Sequence, residues 1–193
     1  MNNKLQQVLA KIDVLNADDP NMEQVEGQDV PKEQLYSRRM SEQLKTFLPD
    51  ASDELQIAAH AQHVRRWTSP RSDYPTGKAG YYRWRTELGR MHADLAAGAM
   101  AEAGYPKDSQ DRVRKLLTKQ GIKQDNEVQA LEDVICLVFL QYYFLPFAAE
   151  HPEEKVIDIL HKTWTKMSER GHQAALALPL EPDARALVEK ALA

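Results

Sequence analysis

The chain has 193 residues, 42% of them hydrophobic and 28% charged, with a formal charge of −4. That length supports a core without disulfide or metal staples, and a single cysteine, Cys136, excludes an internal disulfide. There is no uninterrupted run of about eighteen apolar residues and no basic-then-apolar leader pattern at the start, so the expectation is a cytoplasmic protein, with no membrane as partner and a reduced thiol.

Taken in chain order, the punctuation reads as helices. Leu5, Val8, Leu9, Ile12 and Leu15 keep a 3.6-residue period until "NADDP" at Asn16–Pro20. Residues 16–30 read as an irregular acidic segment. Pro31 suits a first helical position, and Leu35, Leu44, Phe47 and Leu48 give the next stripe, ending at Pro49. Ser52 is a candidate cap for a third helix running to about Trp67. Two prolines and a glycine make 69–78 a basic loop. A fourth helix follows from about Ala79 to Ala103, closed by Gly104, and a fifth spans about Ser109–Gln120. Asp125 or Asn126 opens a sixth, apolar nearly all round from Val134 to Phe144, so a central buried helix is expected near 127–146. Val156, Ile157, Leu160, Trp164 and Met167 mark a seventh, stopped by Gly171, and Pro182–Ala191 a last short one. No segment alternates with period two. The fold class is all-α, a helical bundle forming one domain over 1–193.

Charge is distributed unevenly. Between Gln62 and His92 lie Arg65, Arg66, Arg71, Lys78, Arg83, Arg85 and Arg90, against only Asp73 and Glu87. This cationic stretch, interleaved with Tyr74, Tyr81 and Tyr82, inside an acidic chain marks either an anion-binding face or an internal clamp onto acidic residues. Among its residues Arg65, Arg66, Arg71, Lys78, Tyr81, Arg83 and Arg85 are the candidates for substrate binding.

Ionisable groups also fall on faces that should be buried. His92 lies within the stripe of Leu88, Met91, Leu95 and Ala99. His60 and His63 sit at the edge of the stripe of Ile57, Ala61 and Val64, and Glu132 and Asp133 open the most hydrophobic helix. Buried groups of this kind need a partner, a hydrogen bond or a metal. Histidines from two helices with carboxylates from a third suit a divalent ion, Mn, Fe, Zn, Ni or Co, that turns bound water into a nucleophile. In the plainer reading His92 bonds a carbonyl, and Glu132 and Asp133 pair with the arginines. Cys136, in apolar surroundings, reads as a small hydrophobe rather than a nucleophile.

The blocks "LYSRRM" (35–40), "LQIAAHAQHVRRW" (55–67), "PRSDYPTGKAGYYRWR" (70–85), "LEDVICLVFLQYYF" (131–144) and "KMSERG" (166–171) resemble the domain-of-unknown-function family 4202 over nearly the whole chain. More remotely, the order of a histidine, a second histidine with an acid, and a later aspartate resembles the HD-domain metal-dependent phosphohydrolases. That resemblance implies an HD-like bundle, with His63 (or His60), His92 and Asp133 as metal ligands; Glu132 is the candidate for the missing carboxylate, and Glu132 and Asp133 are the candidate catalytic carboxylates. The sequence departs from it at Ala93, where HD proteins carry aspartate; Asp94 is about 200° around the helix from His92. Three functions follow. One is metal-dependent hydrolysis of a small phosphorylated or nucleotide-like anion. Another is a non-catalytic module that binds RNA, a nucleotide or an acidic protein through the belt at 62–90, and a di-iron redox site on the same ligands is the third.

Overall fold

The computed structural model describes residues 3–192. The fold is all-α apart from one short hairpin. Contacts gather the chain into two compact units, Met1–Gln120 and Gly121–Ala193.

In the first unit, α1 (Asn3–Asn16) is followed by β1 (Met22–Val25) and β2 (Gln28–Pro31), then α2 (Lys32–Phe47), α3 (Asp53–His60), α4 (Gly77–Glu102) and α5 (Lys107–Leu117). The hairpin corrects the expectation of an irregular segment. Glu26 and Gly27 both take positive φ, 51° and 80°, the geometry of a tight two-residue hairpin turn. Met22 then pairs with Pro31 and Val25 with Gln28. Pro31 therefore ends β2 instead of opening α2.

The predicted stripes supply part of this unit's core, with Met91 and Leu95 of the α4 stripe only half-buried and Met40, Leu55, Met100 and Leu116 added from outside them. Val8 and Ile12 of α1, Met40 and Leu44 of α2, Leu55 and Ile57 of α3, Met100 of α4 and Leu116 of α5 are fully or almost fully buried, each such side chain stabilising by about 1.5–3 kcal/mol. Ser52 caps α3 by accepting the Leu55 amide at 3.1 Å. That helix stops at His60, earlier than its apolar pattern suggests, and the chain continues through irregular turns to a short 3-10 turn at Arg66–Thr68.

The second unit holds α6 (Asn126–Val138), a π turn (Phe139–Tyr143), α7 (Phe144–Ala149), α8 (Glu153–Lys166), α9 (Glu169–Leu176) and α10 (Pro182–Leu192). Asp125 caps α6, accepting the amides of Glu127 and Val128. Val128, Leu131, Val134, Leu137 and Val138 are buried along it, so the central apolar helix is where the sequence places it. Pro146 has no amide to donate back to the Tyr142 carbonyl, and just before it the ladder widens so that the Phe144 amide reaches the Phe139 carbonyl. Asn126–Ala149 is long and apolar enough to cross a bilayer by length and composition, yet 56% of its most apolar window is buried within the protein, as in a core helix. The stop expected at Gly171 is instead the inside of α9, where a β-carbon would lie 2.7 Å from Asp133 Oδ1.

Candidate functional site

His63 sits in the turn after α3, and its setting is built from α1 and α2. Asn16, at the end of α1, is completely buried. Its amide donates to Ser37 Oγ at 3.1 Å and to the Glu33 carbonyl at 3.3 Å, and its oxygen accepts the Arg65 amide at 2.9 Å. Arg65 has φ +52°, a left-handed conformation that a non-glycine residue adopts only when held there. The Asp19 carboxylate accepts the Glu33 amide at 3.0 Å, fixing the first turn of α2 so that the Glu33 side chain faces the histidine.

The His63 ring is then defined on three sides. Nδ1 lies 3.0 Å from Glu33 Oε2. Tyr36, one turn along α2, stacks on its face with centroids 3.8 Å apart and planes 9° from parallel. Arg66 Nη1 approaches Nε2 at 3.1 Å. The same Nη1 is 3.5 Å from Nδ1, so the guanidinium lies against the ring face instead of along the Nε2 lone pair; with Glu33 ionised, Nδ1 donates its hydrogen to the carboxylate and Nε2 carries the lone pair. Arg66 in turn lies over the Trp84 ring, 5.1 Å from its centroid, and the Trp84 indole donates to the Ser69 carbonyl.

Beyond this dyad lies His92 of α4, its ring 6.2 Å from His63 and 4% exposed. The two histidines open onto a cavity of about 370 Å³ lined also by Gln62, Arg66, Tyr82, Arg85, Arg90 and Lys119. Burial, then the charges of Arg66, Arg85, Lys119 and Lys32, hold the His63 pKa well below its ordinary value. Burial and the same neighbourhood of His63, Arg66 and Arg85 do so for His92. Glu33 moves the other way, pushed up to about 7 by burial against the opposing pull of Arg66. The site is thus two neutral imidazoles and a buried carboxylate beneath a set of cations.

The predicted residues divide clearly. His63, His92, Arg66 and Arg85 meet at the cavity. Lys78 stands 5.8 Å above the Tyr82 ring, and Tyr81 packs edge-on to Tyr82 and against Trp84, both beside it. His60 has both nitrogens engaged, with Ser41 Oγ at 2.8 Å and Asp13 Oδ1 at 3.1 Å. Arg71 braces its own loop, donating to the carbonyls of Tyr74 and Pro75 at 2.9 and 2.8 Å. Arg83 pairs with Glu87 along the exposed side of α4. Arg65 contributes its backbone turn.

Glu132 and Asp133 belong to the second unit, where both are buried. Asp133 accepts the Ser168 amide at 2.8 Å, the Ser168 hydroxyl at 2.6 Å and the Gln129 amide at 3.0 Å. Ser168 Oγ accepts the Gly171 amide and so caps α9. Sequence reasoning passed over Glu33, Gln62 and Lys119 as site residues.

The implied divalent metal can be tested against these donors. Among the described residues no group of three or more His, Cys, Asp or Glu side chains is placed to hold a metal ion. At the cavity, Arg66 lies 3.1 Å from His63 Nε2 and three further cations line the same space. A divalent cation would be repelled where an anion would be attracted, so this donor set does not fit the metal.

Over residues 6–188 the chain matches the family described as Domain of unknown function (DUF4202), and it belongs to that family. No curated protein and no solved structure matches it.

Proposed function

We propose that the first unit binds a small phosphorylated anion in this cavity and hydrolyses it with His63 as general base. The observation that carries the reading is the Glu33–His63 pair, with Arg66 against its ring, in a cavity that also presents Arg85, Arg90 and Lys119. Cations of this density suit a phosphate, which two arginines can grip with parallel hydrogen bonds. Arg66 now packs against the His63 ring. An arriving phosphate draws that guanidinium to itself, Nε2 takes a proton from a water that attacks phosphorus as the ester P–O bond breaks, and the imidazolium then gives that proton to the departing alkoxide. Glu33 keeps the ring in the right tautomer and stabilises the imidazolium as it forms, the part a buried carboxylate plays beside a catalytic histidine.

The test is calorimetric titration with inorganic phosphate and a panel of phosphate monoesters, followed by assay of phosphate release. Arg66→Ala or Arg85→Ala weakens binding about 10–100-fold, as expected for the loss of a charge-assisted contact. His63→Ala abolishes release while binding persists. Absence of phosphate binding in the folded wild type overturns the reading. So does near-stoichiometric Mn, Fe, Zn, Ni or Co in protein made without a polyhistidine tag and lost in His63→Ala and His92→Ala.

A second reading rests on Tyr81 and Tyr82, large aromatics left exposed on α4 beside Lys78. They suit stacking with unpaired bases of RNA. RNA affinity falling steeply with salt and lost in a Tyr81→Ala/Tyr82→Ala variant, with no phosphate-ester hydrolysis, would favour it.

A further inference from the structure

The cavity carries polar groups that neither the base nor the arginines use. Gln62 Oε1 and His92 Nε2 are buried with no hydrogen-bond partner in the protein. Gln62 is 6% and His92 4% exposed, and both line the same cavity. Orphaned buried polar atoms are uncommon because burial without a partner is costly, and two in one cavity mark a place where water or a ligand that displaces it supplies the partners.

The chemistry of Gln62 narrows the ligand. An amide oxygen only accepts. A phosphate dianion has no hydrogen to offer, so the anion held by the arginines cannot satisfy it. An ammonium group would donate, but Arg66, Arg85, Arg90 and Lys119 line the same space and repel it. A neutral donor that can also face an imidazole nitrogen remains, and a hydroxyl does both. We infer that Gln62 and His92 form a hydroxyl-binding subsite, so that the ligand is a phosphorylated polyol or sugar. This rests on the anion reading above and assigns Gln62 as a specificity-determining residue.

Calorimetry on the full chain with three probes decides it: inorganic phosphate, propyl phosphate and glycerol 3-phosphate, the last two sharing a three-carbon skeleton. Glycerol 3-phosphate binds about tenfold tighter than propyl phosphate, equivalent to about 1.4 kcal/mol. Gln62→Leu, with Gln62→Met as the alternative should the first not fold, erases that preference, so that glycerol 3-phosphate and propyl phosphate bind within about twofold of each other. Equal affinities in the wild type overturn the subsite, as does a preference that survives in a folded Gln62 variant. Binding of inorganic and propyl phosphate without gain from hydroxyls removes the subsite alone, whereas failure of all three removes the anion reading with it. Adding ribose 5-phosphate and AMP separates the sources of the sugar. Tighter AMP binding that Tyr82→Ala abolishes supports a nucleotide sugar, and equal binding supports a free sugar phosphate.

Discussion

Replacing Glu33 by Gln keeps a hydrogen-bond acceptor for His63 while removing the charge, and the consequence for stability can be worked out. The carboxyl has its pKa raised from 4.5 to about 7, chiefly by burial, and its side chain is only 9% exposed. Between those values the unfolded chain has released the proton that the native state still holds. Stability therefore falls as pH rises from about 4.5 to about 7. The full cost is about 3 kcal/mol above that window, at about 1.36 kcal/mol per unit. His63 and His92 work in the opposite sense. Their native pKa values are depressed, so the unfolded state binds protons first and stability falls as pH drops below about 6.5.

The wild-type curve mixes the two trends, but the difference between wild type and Glu33→Gln isolates the carboxylate. Urea unfolding should be followed by tryptophan fluorescence in a Trp164→Phe background, which leaves Trp67 and Trp84 as reporters of the first unit. The stability of wild type relative to the variant should decline by about 3 kcal/mol from pH 4.5 to 7 and stay level above. Curves that stay parallel within about 0.5 kcal/mol, near the error of the extrapolation, would refute a buried, proton-holding Glu33.

Asn16→Ala strips partners from the Arg65 amide, Ser37 and the Glu33 carbonyl at once, and should cost about 2–4 kcal/mol in chemical denaturation. In Gly80→Ala the new β-carbon would lie 1.9 Å from the Pro75 carbonyl oxygen, so the 70–76 loop must shift. A lower melting temperature, worth about 1–3 kcal/mol, is the expected result. Asp133→Ala leaves Ser168 without the carboxylate that orients it, and should lose about 1–3 kcal/mol with reduced helix content by circular dichroism. For the hydrolysis proposed above, the rate should rise with pH through about 7 as Glu33 ionises. Stopped assays across pH 5–9 would show that rise disappear in Glu33→Gln.

Much of the fold is legible in the sequence because the apolar stripes of α1, α4 and α6 are regular and the caps at Ser52 and Asp125 are of ordinary type. The hairpin at 22–31 is hidden because its short strands carry few apolar residues and its turn uses Glu26-Gly27 in place of the strongest Asn-Gly signal. α9 is hidden by Gly171, which reads as a stop but is needed where the helix presses on Asp133. At the site, His63 and His92 stand out as ionisable groups on apolar faces. Glu33 does not, because an acid in a first helical turn already has a routine explanation in the helix dipole. Arg71 and Arg83 show the opposite error. Charge density says that cations are plentiful but not which way each points, and these two turn to a loop carbonyl and to Glu87.

The triple grip of Asn16 makes α1 a latch for the histidine turn. The Arg65 amide bonds to no backbone carbonyl in that arrangement; its partner is a side chain 49 residues earlier. Its hydrogen can exchange with solvent only when that side chain lets go, so deuterium uptake at this one amide follows the docking of α1 directly. Fraying of α1 would release the Asn16 hold on both Glu33 and Arg65, and together with Asp13 it would release His60. The competence of the cavity is therefore tied to the docking of a helix that supplies none of its lining.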